Sequence, residues 1–352
     1  MQTVVPDYRS NLFNYLKTEL NEQFVLYGGK EYFEKSVKSD SALTFYNKVN
    51  NIYFLNRKIL IQLGFWEIIL KDNLMVLELN PRIISNWIIL LLRKMTQKKT
   101  ILWGHAWPRN GISSKTDWLR GLMRNLADGI MVYTATQKKE LQKKIPNKQI
   151  NYAPNSLYFR NQMSVDSNEN EIKNLMFVGR LTKAKKPLFL VKAFHNVLDK
   201  MPKDTKLIVI GEGGEKSSIL NYIREHNLEN QIRILGHIGD HKTLKSHYDK
   251  ALFSVSPGYV GLSITQSLGF GVPMLISKEE PHSPEIEAVK ENENALFFKS
   301  NDMVALGNTL IKIQENKKAW IRKRLDIMEF CKENYSIEAM GSSFISLLKN
   351  DE

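Results

Sequence analysis

The chain has 352 residues, enough for about two domains. It is 43% hydrophobic and 25% charged, a composition that supports packed cores and sets aside a disordered or fibrous chain. A formal net charge of +13 favours polyanionic partners: nucleic acid, anionic lipid or phosphorylated small molecules. The single cysteine, Cys331, rules out an intramolecular disulfide framework and fits a reducing cytoplasm.

The N-terminus, MQTVVPDYRSNLF, lacks the basic-then-apolar layout of a signal peptide. It reads as a first strand with Tyr8 and Arg9 at its end. The most apolar run, Ile83 to Leu92, is too short and interrupted to span a bilayer. LMVLEL (Leu74 to Leu79), TILWGH (Thr100 to His105) and GIMVYT (Gly129 to Thr134) read as buried strands, with helical patterns over Pro81 to Met95 and Asp117 to Leu126. The polar stretch from Asn161 to Lys173 reads as an interdomain linker.

The second half repeats the alternation. NLMFVG (Asn174 to Gly179), KLIVIG (Lys206 to Gly211), IRILG (Ile232 to Gly236), LFSVSP (Leu252 to Pro257) and PMLIS (Pro273 to Ser277) are strands. Helices are expected over Pro187 to Leu198 and Lys216 to His226. The pattern predicts two doubly wound, Rossmann-like α/β domains that face each other across a cleft. Residues 1–160 form the N-terminal domain, 161–173 the linker and 174–333 the second domain. A terminal helix within 334–352 packs back toward the first domain.

Four motifs carry chemistry. In FVGRLTKAKKP, Arg180 stands at a strand end with Lys185 five positions on, a guanidinium and an ammonium that can converge on one diphosphate. In SPGYVGLSITQSLGFGVP, the turn through Gly258 and Gly261 enters a helix near Leu262 and Ser263, where unpaired N–H groups suit an anion. Ser263 and Gln266 share one face of that helix. VIGEGGE, with Gly211 and Gly213, is a weak dinucleotide signal, because no acid closes a strand about twenty residues on. In ILWGHAWPRNG, His105 ends an apolar strand. No Asp-x-Asp pair and no P-loop sequence occurs, so leaving-group charge falls to Arg, Lys and backbone N–H groups.

These stretches, with ILGHIGDHKTL and APN, resemble in order and spacing the family 4 retaining glycosyltransferases, which have the GT-B fold. The resemblance is strong over Asn174 to Phe298 and weaker in the first domain. It implies that Gly179, Arg180 and Lys185 hold the donor diphosphate and that Gly261, Leu262 and Ser263 form the turn over the phosphates. It places Gly236 to Ile238, with His237, along the nucleotide base, and His105 toward the donor sugar. Asn155 falls at the domain junction, and Tyr8 and Arg9 are acceptor contacts. The family's two glutamates are replaced here by Gly258 and Gln266, as in members of the capsule and O-antigen type; Gln266 keeps an acceptor for ribose hydroxyls.

The resemblance implies a retaining, metal-independent transferase of bacterial surface-polysaccharide assembly. It would have no cofactor beyond a UDP- or GDP-linked sugar as co-substrate, and a glycan or lipid-linked acceptor. The location expected is the cytoplasm, at the inner face of the plasma membrane if the basic first domain meets anionic lipid. A nucleotide-sugar-binding relic and a GT-B epimerase are the alternatives. Nucleic acid is not an expected partner, since no sheet motif interleaves aromatic and basic residues.

Overall fold

The computed structural model describes residues 1–35, 37–71, 73–108, 111–165 and 168–349. Arg109 and Asn110 of ILWGHAWPRNG, Asp166 and Ser167 of the expected linker, and residues 350–352 of the terminal segment lie outside them. The chain divides into unit 1, Met1–Leu157 with Ile337–Glu352, and unit 2, Tyr158–Ser336.

Unit 1 opens with strand β1 (Gln2–Val4), helix α1 (Asp7–Leu20), β2 (Tyr27–Gly29) and β3 (Asn47–Lys48), the strands pairing in parallel in that order. A hairpin of β4 (Asn50–Phe54) and β5 (Ile59–Leu63) follows, its turn made by Leu55, Asn56 and Arg57 at positive φ. Then come β6 (Met75–Glu78), α2 (Ile84–Met95), β7 (Thr100–Trp103), α3 (Asp117–Leu126), β8 (Gly129–Val132), α4 (Ala135–Lys144) and β9 (Gln149–Tyr152). These four strands form a parallel sheet in sequence order. Every residue of β7 and β8 is buried, as parallel strands covered on both faces require. Glu78 joins the two sheets, accepting the Thr3 N–H at 2.5 Å and its hydroxyl at 2.8 Å.

Unit 2 is a six-stranded parallel sheet of β10 (Asn174–Val178), β11 (Leu207–Ile210), β12 (Ile232–Gly236), β13 (Ala251–Ser256), β14 (Met274–Ser277) and β15 (Ala295–Phe298). Its strand order is β12-β11-β10-β13-β14-β15, that of a doubly wound dinucleotide-type sheet. The helices are α5 (Pro187–His195), α6 (Lys216–Glu225), α7 (His241–Asp249), α8 (Ser263–Gly269), α9 (Met303–Glu315), α10 (Lys317–Arg322) and α11 (Arg324–Asn334). Proline at the first position of α5 sets a helical φ where no N–H is needed. Buried Arg324 fastens α11 by donating to the carbonyls of Ala251, Tyr248 and Phe270.

Described residues of the expected linker pack on unit 2. Met163 joins the cluster with Ile264 and Leu268, and Ile172 joins the main core beside Leu175. Val165 also packs against the first of these clusters. The last helix, α12 (Ile337–Lys349), belongs to unit 1 and packs on α1; Phe344 meets Trp103 edge-on at 4.8 Å.

Candidate functional site

The site in unit 2 follows from strand order. β10 and β13 are neighbours, but their connections leave in opposite directions, and ligands of such sheets bind in the crevice this opens at the strands' C-terminal ends. Gly179 and Arg180 follow β10 there, and the turn from Pro257 to Leu262 follows β13.

Lys185 closes a short 3₁₀ turn, Lys183–Lys185. Its side chain runs past Gly179, where an added Cβ would stand 3.3–3.4 Å from Lys185 Cδ, Cε and Nζ. Its Nζ donates to the Tyr259 carbonyl at 3.4 Å and lies 5.6 Å from that ring's centroid. Burial, and then the positive charge of Arg180, push the Lys185 ammonium below its ordinary pKa. Among the described residues neither cation has a carboxylate partner. Neighbouring Lys186 differs: it pairs with Glu280 and donates to Asn301 at 2.6 Å. Two like charges gathered without a counter-charge form a seat for an anion.

The turn supplies the rest. The N–H groups of Gly261, Leu262 and Ser263 have no acceptor among the described residues, and the Ser263 hydroxyl oxygen is buried without a partner. Buried polar atoms are normally satisfied, so this hydroxyl marks a place for a polar ligand.

Gly258 is more than a missing acid. A Cβ there would lie 2.3 Å from the Ala184 carbonyl oxygen and 2.9 Å from the Lys185 carbonyl carbon. Tyr259 N–H also bonds to Ala184 O at 2.8 Å. The loop carrying Lys185 therefore rests directly on Gly258, and the position has no room for a side chain.

Gly211 and Gly213 lie where two loops pack closely. Added Cβ atoms would meet Gly179 O at 1.9 Å and Leu181 O at 2.4 Å, so these glycines let the second loop lie on the first and shape the path of Arg180. His237 is exposed just beyond β12, and Ile238 packs partly against the Tyr248–Phe270 cluster. Gln266 is held between two tyrosines: Tyr248 OH donates to its Oε1 at 3.2 Å, and its Nε2 donates to Tyr158 OH at 2.9 Å. Burial pushes Tyr158 up to about 12, against the opposing hydrogen bond from Gln266.

Sequence reasoning missed the strap that holds the turn. His282 Nδ1 accepts the Val260 N–H at 3.3 Å, and its Nε2 lies 2.7 Å from the Ser277 carbonyl. These partners require a neutral ring protonated on Nε2. Burial, first among the causes, pushes the His282 pKa down. Ser283 N–H donates to Val260 O at 3.0 Å, and its hydroxyl donates to buried Glu285. The available signal was a histidine between two prolines, just after a strand at the ligand-binding edge.

The remaining candidates belong to unit 1. Tyr8 and Arg9 lie in the first turn of α1 rather than at a strand end. Arg9 stacks on Trp103 at 4.3 Å and donates to Gln2 Oε1 at 2.9 Å and to Tyr133 OH at 2.8 Å; its Nε is buried without a partner. Tyr8 is exposed. His105 follows β7 and meets the Tyr133 ring at 4.7 Å. Burial first, then Arg120 and Arg9, push its pKa down to about 4. The residue is nonetheless partly open to solvent, and the charges of Arg120 and Arg9 act on it in the same direction as the desolvation. Asn155 lies two residues before the division between the units.

The chain belongs to the glycosyl transferases group 1 family, whose model matches residues 160–351. Its fold, two Rossmann-like domains built on parallel sheets, is the GT-B fold of its structural neighbours. Over 226 residues it is 26% identical to an uncharacterized glycosyltransferase of Methanocaldococcus jannaschii, covering 58% of this chain and 55% of that protein. It is 23% identical over 292 residues to an uncharacterized glycosyltransferase of Haemophilus influenzae, covering 79% of each. A Campylobacter jejuni N-acetylgalactosaminyltransferase, named for a diphospho-undecaprenol-linked substrate, is 26% identical over 46% of this chain and 45% of its own. The chain thus spans about half the length of the first and third of these relatives. Among solved structures, HepE of Anabaena in complex with UDP aligns with a TM-score of 0.68 at 12% identity, covering 97% of this chain and 96% of that one.

Proposed function

We propose that the protein is a retaining glycosyltransferase that takes a UDP- or GDP-linked sugar on unit 2 and passes the sugar to a glycan acceptor, lipid-linked, in surface-polysaccharide assembly at the inner face of the membrane. The observation that carries this is the pair Arg180 and Lys185, without a carboxylate partner among the described residues, beside three N–H groups without an acceptor there and the buried Ser263 hydroxyl. Together they match a diphosphate in charge and in hydrogen-bond donors. UDP is the first nucleotide to try, because several structural neighbours are described in complex with UDP.

The reaction follows from those groups. As the bond between the anomeric carbon and the diphosphate breaks, negative charge grows on the leaving oxygen. Arg180, Lys185 and the backbone donors stabilise it in place, without a carboxylate nucleophile. The acceptor hydroxyl attacks on the face the diphosphate leaves, and the departing phosphate is the acceptor for its proton. Tyr8, Arg9 and His105 serve the acceptor and the donor sugar from unit 1. No metal is required in this scheme, because the two side-chain cations take the charge.

The test is thermal shift and calorimetry with UDP, GDP and their sugars, followed by transfer assays. Saturable binding that raises the melting temperature is expected, because a ligand of the native state stabilises by mass action. No binding of any nucleotide would reject the site. Binding without transfer to any lipid-linked glycan would favour a nucleotide-sugar-binding relic.

A further inference from the structure

Helix α2 buries one face and exposes another that is equally apolar. Ile89 and Leu90 face the core at 0% and 1% exposure. Ile88, Leu91, Leu92 and Met95, spaced i, i+3, i+4 and i+7, are exposed by 39%, 50%, 38% and 81%. That spacing makes one stripe along the helix. Helix α3 packs against α2 and does the same with Trp118 and Leu122, 63% and 47% exposed at i and i+4. Single exposed apolar residues are ordinary, but aligned stripes on adjacent helices mark a surface that meets something.

Charge selects the partner. From Ile84 to Leu126 the sequence holds eight Lys and Arg residues and one acid, Asp117. That acid is buried and neutralised by Arg124 at 2.7 Å and Lys144 at 2.8 Å. Lys94 and Lys115 are exposed, Lys94 with half-buried Asp128 at 3.9 Å, and no acidic residue lies within α2. A second copy of this face would bring lysines against lysines. An anionic bilayer offers an apolar interior and a negative rim, and interfacial helices read it with apolar, tryptophan and lysine side chains together. Among the described residues no helix is long and apolar enough to cross a membrane, so the contact would be peripheral.

We infer that α2 and α3 form the face by which unit 1 docks on an anionic lipid surface. The apolar stripes enter the headgroup boundary, and the flanking lysines lie beside lipid phosphates. This inference rests on the membrane part of the proposed function, but its test reads lipid binding and needs no donor or acceptor.

The experiment is flotation of the full chain with phosphatidylcholine vesicles, with and without phosphatidylglycerol. Binding only to the anionic vesicles is expected, weakening with salt. The double variant Leu91→Asp with Met95→Asp should bind at least about tenfold more weakly, since each loses apolar burial. Lys94→Glu with Lys115→Glu should also weaken it. All four positions are exposed, and an unchanged melting temperature and UDP shift would show that each variant is folded with its nucleotide site intact. The inference is overturned by failure to float with anionic vesicles, or by floating that the α2 variants leave unchanged. It is equally overturned if those variants instead abolish a dimer seen by ultracentrifugation, which would make the face a contact between copies. A lipid-binding failure alongside normal nucleotide binding would leave the transferase reading standing.

Discussion

Lys185 and Lys186 are neighbours in one basic run, and the fold gives them opposite tasks. Lys186 meets Glu280 and Asn301, whereas Lys185 meets Arg180 and a carbonyl. Lys185→Ala should abolish the UDP-induced thermal shift with little loss of basal stability. Lys186→Ala should lower basal stability and keep the shift. Arg180→Ala should cut turnover by about a hundredfold or more, since losing one such contact costs about 2.7–4 kcal/mol in the transition state. Near-wild-type kcat in steady-state assays would sink the assignment. Gly258 belongs at this scale too. Because the Lys185 loop lies on it, Gly258→Ala should destabilise the protein by about 1–3 kcal/mol through overpacking. Gly258→Glu should destabilise at least as much and fail to supply a working acid. Urea denaturation would show the loss, and a fully stable glutamate variant would refute the packing argument.

Among elements, α8 shows how a helix is fixed from the side. Gln266 ties it to Tyr158, at the start of unit 2, and to Tyr248 at the end of α7. Both tyrosines also pack on Phe270, just beyond α8. Gln266→Leu would strip both hydroxyls of this partner; Tyr248 keeps its hydrogen bond with Ser254, so the cost of about 1–3 kcal/mol for a buried polar group left unsatisfied falls on Tyr158. Gln266→Glu should cost less, because either tyrosine can donate to a carboxylate. Chemical denaturation of the two variants checks the order, and equal losses would mean that the hydrogen bonds carry little. The strap after β14 works similarly. It grips the Pro257–Leu262 turn through Val260 and so sets the placement of the N–H groups at Gly261 to Ser263, which have no acceptor among the described residues.

For the whole molecule, His105 and His282, two of the three histidines with a depressed pKa, give a pH dependence with a definite sign. Unfolded histidine takes up a proton near about pH 6.5. In the native state His105 resists protonation down to about 4, and His282 is shifted in the same direction. The unfolded chain therefore binds more protons across that window. Stability should be intact above pH 6.5 and fall as pH drops toward 4. Melting temperature against pH tests this, and a flat profile over the window would contradict it. His282→Gln should reduce the slope, because the amide oxygen can accept from Val260 without titrating. Much of the molecule was legible in the sequence. Runs such as NLMFVG and LFSVSP are strands because only a doubly covered parallel sheet buries them, and the glycine turn and strand-end arginine lie at one crevice because strand order puts them there. Local patterns could not show the β4–β5 hairpin, the burial of Met163 and Ile172 against unit 2, or the His282 strap, since each depends on which residues pack together. The sequence by itself determined the α/β class and the candidate residues with the chemistry to meet an anion, because period and residue chemistry are local properties. Only the tertiary structure decided which lysine is left unpaired, why Gly258 must stay a glycine and which face of α2 meets solvent, because those depend on what packs against each side chain.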